Sequence, residues 1–238
     1  MASAREFTRV PSVVVAFYAH PDDADVASGG TLAKWAAGGA RVHLVLLADG
    51  GKGTVDETFD SASLRELRRK EVASAARALG ITEVEHLDIP DGEIPEQPWL
   101  MAAMVERIRR HRPDVVLGHD PTAVFFGSVY VNHRDHRAAG WALLDAVAPA
   151  SGLPHYFPEA GRAHRVPDVL LSGTLEPDVY VDVTDSIEAK VTAVSAHATQ
   201  LRGDPEGVAN TVRLRAADDG RRIGAAYAEG FRHLQLDG

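Results

Sequence analysis

The chain contains no cysteine. Disulfides, thiolate metal sites and cysteine nucleophiles are therefore excluded, and any transition-metal centre must be built from histidine and carboxylate. Long apolar runs are missing too. Nothing approaches the ~18 consecutive apolar residues of a membrane span, and the opening "MASAREFTRVPS" has no apolar signal core. A soluble, cytoplasmic protein without a membrane span is the expectation. Positive charge is also in deficit. Lys and Arg number 25 against 34 Asp and Glu, a formal net charge of −9. This argues against a nucleic-acid partner, because counterion release requires clustered cations. No internal repeat or low-complexity tract stands out.

What the chain does have is 238 residues, 45% of them hydrophobic and 25% charged, enough to bury a sizeable core. Short β-branched runs alternate with longer helical patterns. "SVVVAFYA" (Ser12–Ala19) reads as a strand buried on both faces. In "GGTLAKWAAGG" that follows, Leu32, Trp35 and Ala36 share a helix face. "ARVHLVLLADG" (Ala40–Gly50) reads as a second strand. "SASLRELRRKEVASAARALG" reads as a helix with a serine N-cap and Gly80 as its stop. "TEVEHLDIPDG" is a weaker third strand, "WLMAAMVERIRRHRP" a helix closed by Pro113, and "DVVLGHDP" a fourth strand. Beyond Gly152 a proline-rich stretch precedes two further strands, "DVLLSGT" and "DVYVDVT", and two helical stretches close the chain. The alternation predicts a single α/β domain over residues 1–238, Rossmann-like, with a mainly parallel sheet and flanking helices.

In such sheets ligands sit beyond the carboxyl ends of the strands. Polar residues gather there: His20, Asp22 and Asp23 after the first strand, Asp49 after the second, Asp88 and Asp91 after the third, His119 and Asp120 after the fourth. In "YVNHRDHRAAGWALLDAV", His133 and His136 stand three apart where a helix opens, a spacing that brings two imidazoles to one face. Two histidine clusters with spare carboxylates supply the residue types of a metal-dependent hydrolase, since catalytic zinc-like sites take three such ligands and leave a position for water. The competing reading of His20–Asp23 is a polar turn whose aspartates cap the next helix.

"AHPDDAD" followed by "GGTL", with "NHRDH" about a hundred residues on, resembles the zinc-dependent N-deacetylase family of GlcNAc-phosphatidylinositol de-N-acetylases, mycothiol and bacillithiol deacetylases and LmbE-like proteins. The likeness extends through "LADGGKGT", "LDIPDGE", "RPDVVLGHDP", "SGTLEPD" and "HATQ". The resemblance implies an LmbE-like fold and a metal held by His20, Asp23 and His136. It implies Asp22 as general base and His133 as the group that stabilises the oxyanion or protonates the leaving amine. Asp135 would orient and charge His133. Many members carry Glu directly after the Asp pair, whereas here Ala24 and then Asp25 follow.

The expected activity is removal of an N-acetyl group from an amino sugar or its conjugate. Zn2+ is the expected ion, and other divalent transition metals suit the same donors. A small N-acetylated sugar is the expected partner, and assembly into a homo-oligomer is left open. The alternatives are an amidase acting on a larger acyl or thiol conjugate, and a non-catalytic sugar- or nucleotide-binding domain. "DGGKGT" (Asp49–Thr54) fails the Walker pattern because Lys52 is followed by Gly53. Arg68, Asp91 and His197 are candidate substrate contacts. For Arg68 the rival is a solvated helix face, and for His197 a helix histidine packed against the sheet. Specificity is expected from the segments Phe59–Leu64 and Ser151–Pro167.

Overall fold

Val13–Tyr18 forms a strand of six buried residues, as a β-branched run covered on both faces should. The structure, a computed structural model that describes residues 5–201 and 203–236, sets this strand (β2, following β1 at Arg5–Glu6) inside an eight-stranded sheet. The elements that follow are α1 (Asp23–Ala37), β3 (Arg41–Ala48), α2 (Ser61–Leu79), β4 (Glu83–Ile89), α3 (Leu100–His111) and β5 (Val115–His119). Next come β6 (Phe125–Phe126), β7 (Tyr130–Val131), α4 (Arg134–Val147), β8 (Asp168–Ser172) and β9 (Val179–Asp182). The chain continues through α5 (Ile187–Ser195), α6 (Pro205–Gly220) and β10 (Ala228–Gln235).

The sheet order is β1-β9-β10-β8-β5-β2-β3-β4, with β6 and β7 paired apart as a small hairpin. Every pairing in the large sheet is parallel except the two made by β10. The run β8-β5-β2-β3-β4 is the doubly wound, Rossmann-like arrangement expected from the sequence. The closing segment is a correction: β10 follows the last helix and inserts antiparallel between β8 and β9. Its sequence, "AEGFRHLQ", hides a strand among charges. One of those charges, Glu229, is buried because its carboxylate accepts the Gly30 and Thr31 amides of α1 at 2.9 and 2.7 Å and meets Lys190 Nζ at 2.5 Å.

Side chains alternate between the faces of β2. Val14, Ala16 and Tyr18 pack with Leu32, Val72 and Ala193 from α1, α2 and α5. Val15 and Phe17 pack with Met104, Ile108 and Leu143 from α3 and α4. Helix boundaries shift from the expected ones. α1 starts at Asp23, ahead of "GGTL", and the N-cap of α2 is Asp60 rather than a serine, its carboxylate accepting Ser63 N at 2.8 Å. Most of Phe59–Leu64 is therefore the first turn of α2.

Ser151–Pro167 is placed elsewhere than expected. Arg109, in the last turn of α3, donates to six carbonyls of the loop: Ala150, Ser151, Leu153, Tyr156, Phe157 and Gly161. His164 Nε2 meets Pro113 O at 2.9 Å, just before β5 begins. The segment thus lies at the amino-terminal edge of the strands. The polar residues after β2 and β5 flank the opposite edge, where the winding direction reverses, and that crevice is where open α/β sheets bind ligands.

Candidate metal centre and active-site cleft

Beyond β2 the chain turns through His20–Asp22 into α1, and His20 N donates to Asp23 Oδ2 at 2.6 Å to close the turn. Asp22 occupies the N-cap position of α1, yet its side chain makes no capping hydrogen bond. It faces Arg68 Nη2 of α2 at 3.0 Å instead. Capping therefore does not account for the aspartate pair.

α4 brings the second cluster. His133 is its N-cap, and its Nδ1 accepts the Asp135 amide at 3.2 Å. That acceptance leaves the proton of a neutral His133 on Nε2. One turn on, His136 Nδ1 contacts Asn132 Oδ1 at 3.0 Å. The His136 ring stacks on His119 at 4.2 Å and 8°. With Nδ1 so held, His136 Nε2 turns its lone pair toward Asp23 Oδ1 at 3.1 Å and His20 Nδ1 at 3.1 Å. His20 Nδ1 is in turn 3.2 Å from Asp23 Oδ2.

His20 Nδ1, the Asp23 carboxylate and His136 Nε2 thus form a triangle with contacts of 3.1–3.2 Å, His20 meeting one oxygen of Asp23 and His136 the other. One donor atom from each residue falls within 4.8 Å of the other two. A tetrahedral ion with bonds of about 2.0–2.2 Å holds its ligands roughly 3.3–3.5 Å apart. The triangle suits such an ion, and its two imidazoles and one carboxylate suit zinc-type divalent cations. The second His20 nitrogen, Nε2, lies 3.2 Å from Asp91 Oδ1 and 3.3 Å from Asp135 Oδ2. Outer carboxylates of this kind fix the ring of a ligating histidine.

The electrostatics agree with a cation position. Burial opposes charge on His20, but its hydrogen bonds to Asp135, Asp23 and Asp91 prevail and hold it well above the ordinary histidine range. Burial also opposes ionisation of Asp23, and the facing His136 and His119 outweigh it, keeping the carboxyl well below its usual value. Asp91 and Asp135 are lowered likewise, each against burial, by the hydrogen bond to His20. Ionised carboxylates therefore flank both nitrogens of the His20 ring, Asp23 at Nδ1 and Asp91 and Asp135 at Nε2, and an ion bound at Nδ1 would take the place of a proton there. Burial takes His119 down to about 4, and burial followed by the His20 charge lowers His133.

Above this centre opens a cleft of about 220 Å³ onto which Asp22, Asp91, His133 and Arg68 face, together with Tyr130 and Gln200. A larger groove of about 540 Å³ on the outer side of α4, lined by Arg137 and Trp141, contains none of these donors.

The structure gathers His20, Asp22, Asp23, Asp91, His133, Asp135 and His136 at this centre. Arg68 is buried rather than part of a solvated face, bonded to Asp22 and to Gly50 O at 3.2 Å. Asp135 is fully buried, accepts the Gly92 amide at 2.7 Å, and reaches His133 Nδ1 only at 4.0 Å. The histidine it approaches more closely is His20. His197 does not line the cleft; it is buried with Nε2 2.7 Å from Asp25 Oδ2. Asp49 caps the Gly51 and Asp91 amides and Asp120 accepts Thr122 N, so these two shape loops, while Asp88 lies within β4 and pairs with Arg69 of α2. Sequence reasoning missed Asn132, which orients His136, although its spacing four residues ahead of that histidine was a usable signal. It also missed Gln200, although "HATQ" was among the stretches that carry the resemblance, and Tyr130.

A family described as PIG-L, GlcNAc-PI de-N-acetylase, matches residues 15–147. Diacetylchitobiose deacetylase of Thermococcus kodakarensis is 34% identical over 223 residues, covering 90% of this chain and 80% of that protein. A 1D-myo-inositol 2-acetamido-2-deoxy-alpha-D-glucopyranoside deacetylase of a Mycobacterium species is 30% identical over 235 residues, covering 80% and 74%. Among solved structures, N,N'-diacetylchitobiose deacetylase from Pyrococcus horikoshii aligns with a TM-score of 0.86 at 31% identity, covering 94% of this chain and 84% of that one.

Proposed function

The chain belongs to the PIG-L family of GlcNAc-PI de-N-acetylases, and from that premise we propose that it is a metal-dependent deacetylase that hydrolyses the N-acetyl group of an N-acetylglucosamine-containing sugar or conjugate. The observation that carries the reading is the triangle of His20, Asp23 and His136 with the unengaged edge of Asp22 beside it on the same cleft. Relatives named for diacetylchitobiose and for a GlcNAc-inositol support the substrate class. We take the whole chain as one deacetylase domain.

His20 Nδ1, Asp23 and His136 Nε2 would hold the ion, with Zn2+ the proposed occupant. When bound, it supplies Lewis acidity to the amide carbonyl and acidifies water toward neutral pH. Asp22, held by Arg68 Nη2, takes up the proton that the attacking water loses. His133 presents Nε2–H to the cleft, because its Nδ1 is occupied by the Asp135 amide. A neutral donor there hydrogen-bonds the developing oxyanion, a contribution worth roughly 3–4 kcal/mol for one good donor. This replaces the cationic His133 that a carboxylate partner at Asp135 would imply. The departing amine needs a proton, and the Asp22 carboxyl, having just gained one, can return it.

The test is a screen of metal-loaded protein against N-acetylglucosamine, diacetylchitobiose and GlcNAc-inositol, scored for both free amine and acetate. Stoichiometric acetate from at least one substrate is expected. A fully metallated sample that releases no acetate from any of them, or that releases only larger acids from other amides, would overturn the reading.

A further inference from the structure

At the amino-terminal edge of the sheet, away from the cleft, a second set of metal-ligating side chains converges. His43 lies near the start of β3, Glu83 opens β4 and is its register partner, and His111 is the last residue of α3. His43 shares its strand face with Val45 and Leu47, the face that α3 covers, so its ring meets the end of that helix. The His43 and His111 rings lie 3.8 Å apart at 34°. Glu83 Oε2 is 2.6 Å from His43 Nδ1. One donor atom from each of the three residues falls within 4.8 Å of the other two.

We propose that His43, Glu83 and His111 form a second metal site, one that takes a zinc-, nickel- or copper-type divalent ion in a structural role. Two imidazoles and a carboxylate select borderline transition ions over calcium or magnesium, which prefer all-oxygen cages. Around an ion with bonds of about 2.0–2.2 Å the donors stand roughly 3.3–3.6 Å apart, so Glu83 Oε2 has to open from its 2.6 Å contact with His43 Nδ1 to admit one. The adjustment is open to it: the Glu83 side chain is 56% exposed while His43 is buried, so the carboxylate can swing and the ion has a path in from solvent. On α3, Arg107 is paired with Glu85 and Arg110, next to His111, with Glu106. β4 is the terminal strand of the sheet, and an ion here ties it to β3 and to the end of α3. Unpaired sheet edges are the places where such a tie is useful. From His43 to the end of β3 the strand rises roughly 15–20 Å, which separates this site from the catalytic one.

The test is metal stoichiometry on the untagged full-length protein, stripped with a chelator, loaded with Zn2+ and desalted before elemental analysis. The wild type should retain two equivalents per chain. Glu83→Gln and His111→Gln should each retain one, with deacetylation unchanged, whereas His136→Ala should lose the other equivalent and keep this one. Thermal melting should shift upward on the second equivalent in the wild type and not in either variant. A wild type that retains a single equivalent, or a second equivalent that persists when Glu83 and His111 are replaced together, overturns the proposal. Neither outcome bears on the deacetylase reading, which rests on other residues.

Discussion

Asp22→Asn separates the proposed base from the proposed metal ligands. Asp22 is outside the His20–Asp23–His136 triangle, its side chain makes no helix-capping bond, and it pairs with Arg68 Nη2 at 3.0 Å. The asparagine Oδ1 can accept that same donation, so the turn keeps its shape and the metal ligands keep their positions. One hydrogen bond is preserved, but the buried Arg68 guanidinium loses its counter-charge, so the substitution should cost about 1–3 kcal/mol of stability, and activity is compared on the folded fraction. What is lost is the group that takes the proton from water. Removing a positioned general base typically costs 10²–10⁴ in rate, or about 2.7–5.4 kcal/mol of barrier at 1.36 kcal/mol per decade. The loss should fall on kcat with KM little changed, because the proton moves only in the transition state. The assay is free amine released per metal equivalent, with metal content measured on the same sample. A variant that is fully metallated, folded and within tenfold of wild-type kcat would refute the assignment. One that loses the ion would instead show that Asp22 belongs to the ligand set.

Asn132→Ala removes the partner of His136 Nδ1 and should weaken metal affinity by roughly 10–100-fold, read by competition with a chromogenic chelator; unchanged affinity would show that stacking on His119 suffices to hold the ring. Gly140→Ala tests how α4 is seated. A Cβ there would meet His119 O at 2.6 Å and Pro121 Cδ at 2.8 Å, backbone and ring atoms that cannot turn aside, so α4 must move away from β5 with His133 and His136 on it. The expected cost is about 1–3 kcal/mol in denaturant unfolding, with a parallel loss of turnover, and a stable, fully active variant would contradict the tight seating. Arg109→Met removes the buried cation that serves six carbonyls. It should cost about 3–5 kcal/mol while leaving turnover of the surviving folded protein intact, because the loop it organises is at the far edge of the sheet. A selective loss of activity would put that loop back at the cleft.

The parts of this molecule that were legible in the sequence are those with a period or a spacing. The apolar runs of β2, β3 and β5 announce strands covered on both faces, and their polar ends mark the functional edge. The three-residue step from His133 to His136 sits at a helix start, as read. β10 escaped because its burial is bought by contacts across the fold: Glu229 can be inside only because two helix amides and Lys190 meet it. Arg68 was legible as a candidate contact of the cleft, and the structure places it there. Its burial was not legible: within "LRELRRKE" the residue types alone do not separate an arginine that turns inward to Asp22 from a solvated helix face. His197 looked like a site residue by its recurring motif, and its buried bond to Asp25 could be found only once α5 was seated against α1.

Asp135 shows why two motifs, correctly paired, still gave an incomplete site. Read along the chain, its nearest histidine is His133, two residues away. In the fold its carboxylate is anchored by the Gly92 amide from the loop after β4 and presented to His20 Nε2, where Asp91 from the same loop meets it. The loop between β4 and α3 is thus a third wall of the centre, and it acts on the ligand from the first segment through a residue of the second. This arrangement leaves the Nδ1 of His133 to a backbone amide and so sets its tautomer. The same buried carboxylate therefore fixes the ring of one histidine while its own backbone decides which nitrogen of another can donate. Chemistry at the cleft then depends on three loops arriving at one sheet edge together, a requirement that the reversal of winding between β2 and β5 meets.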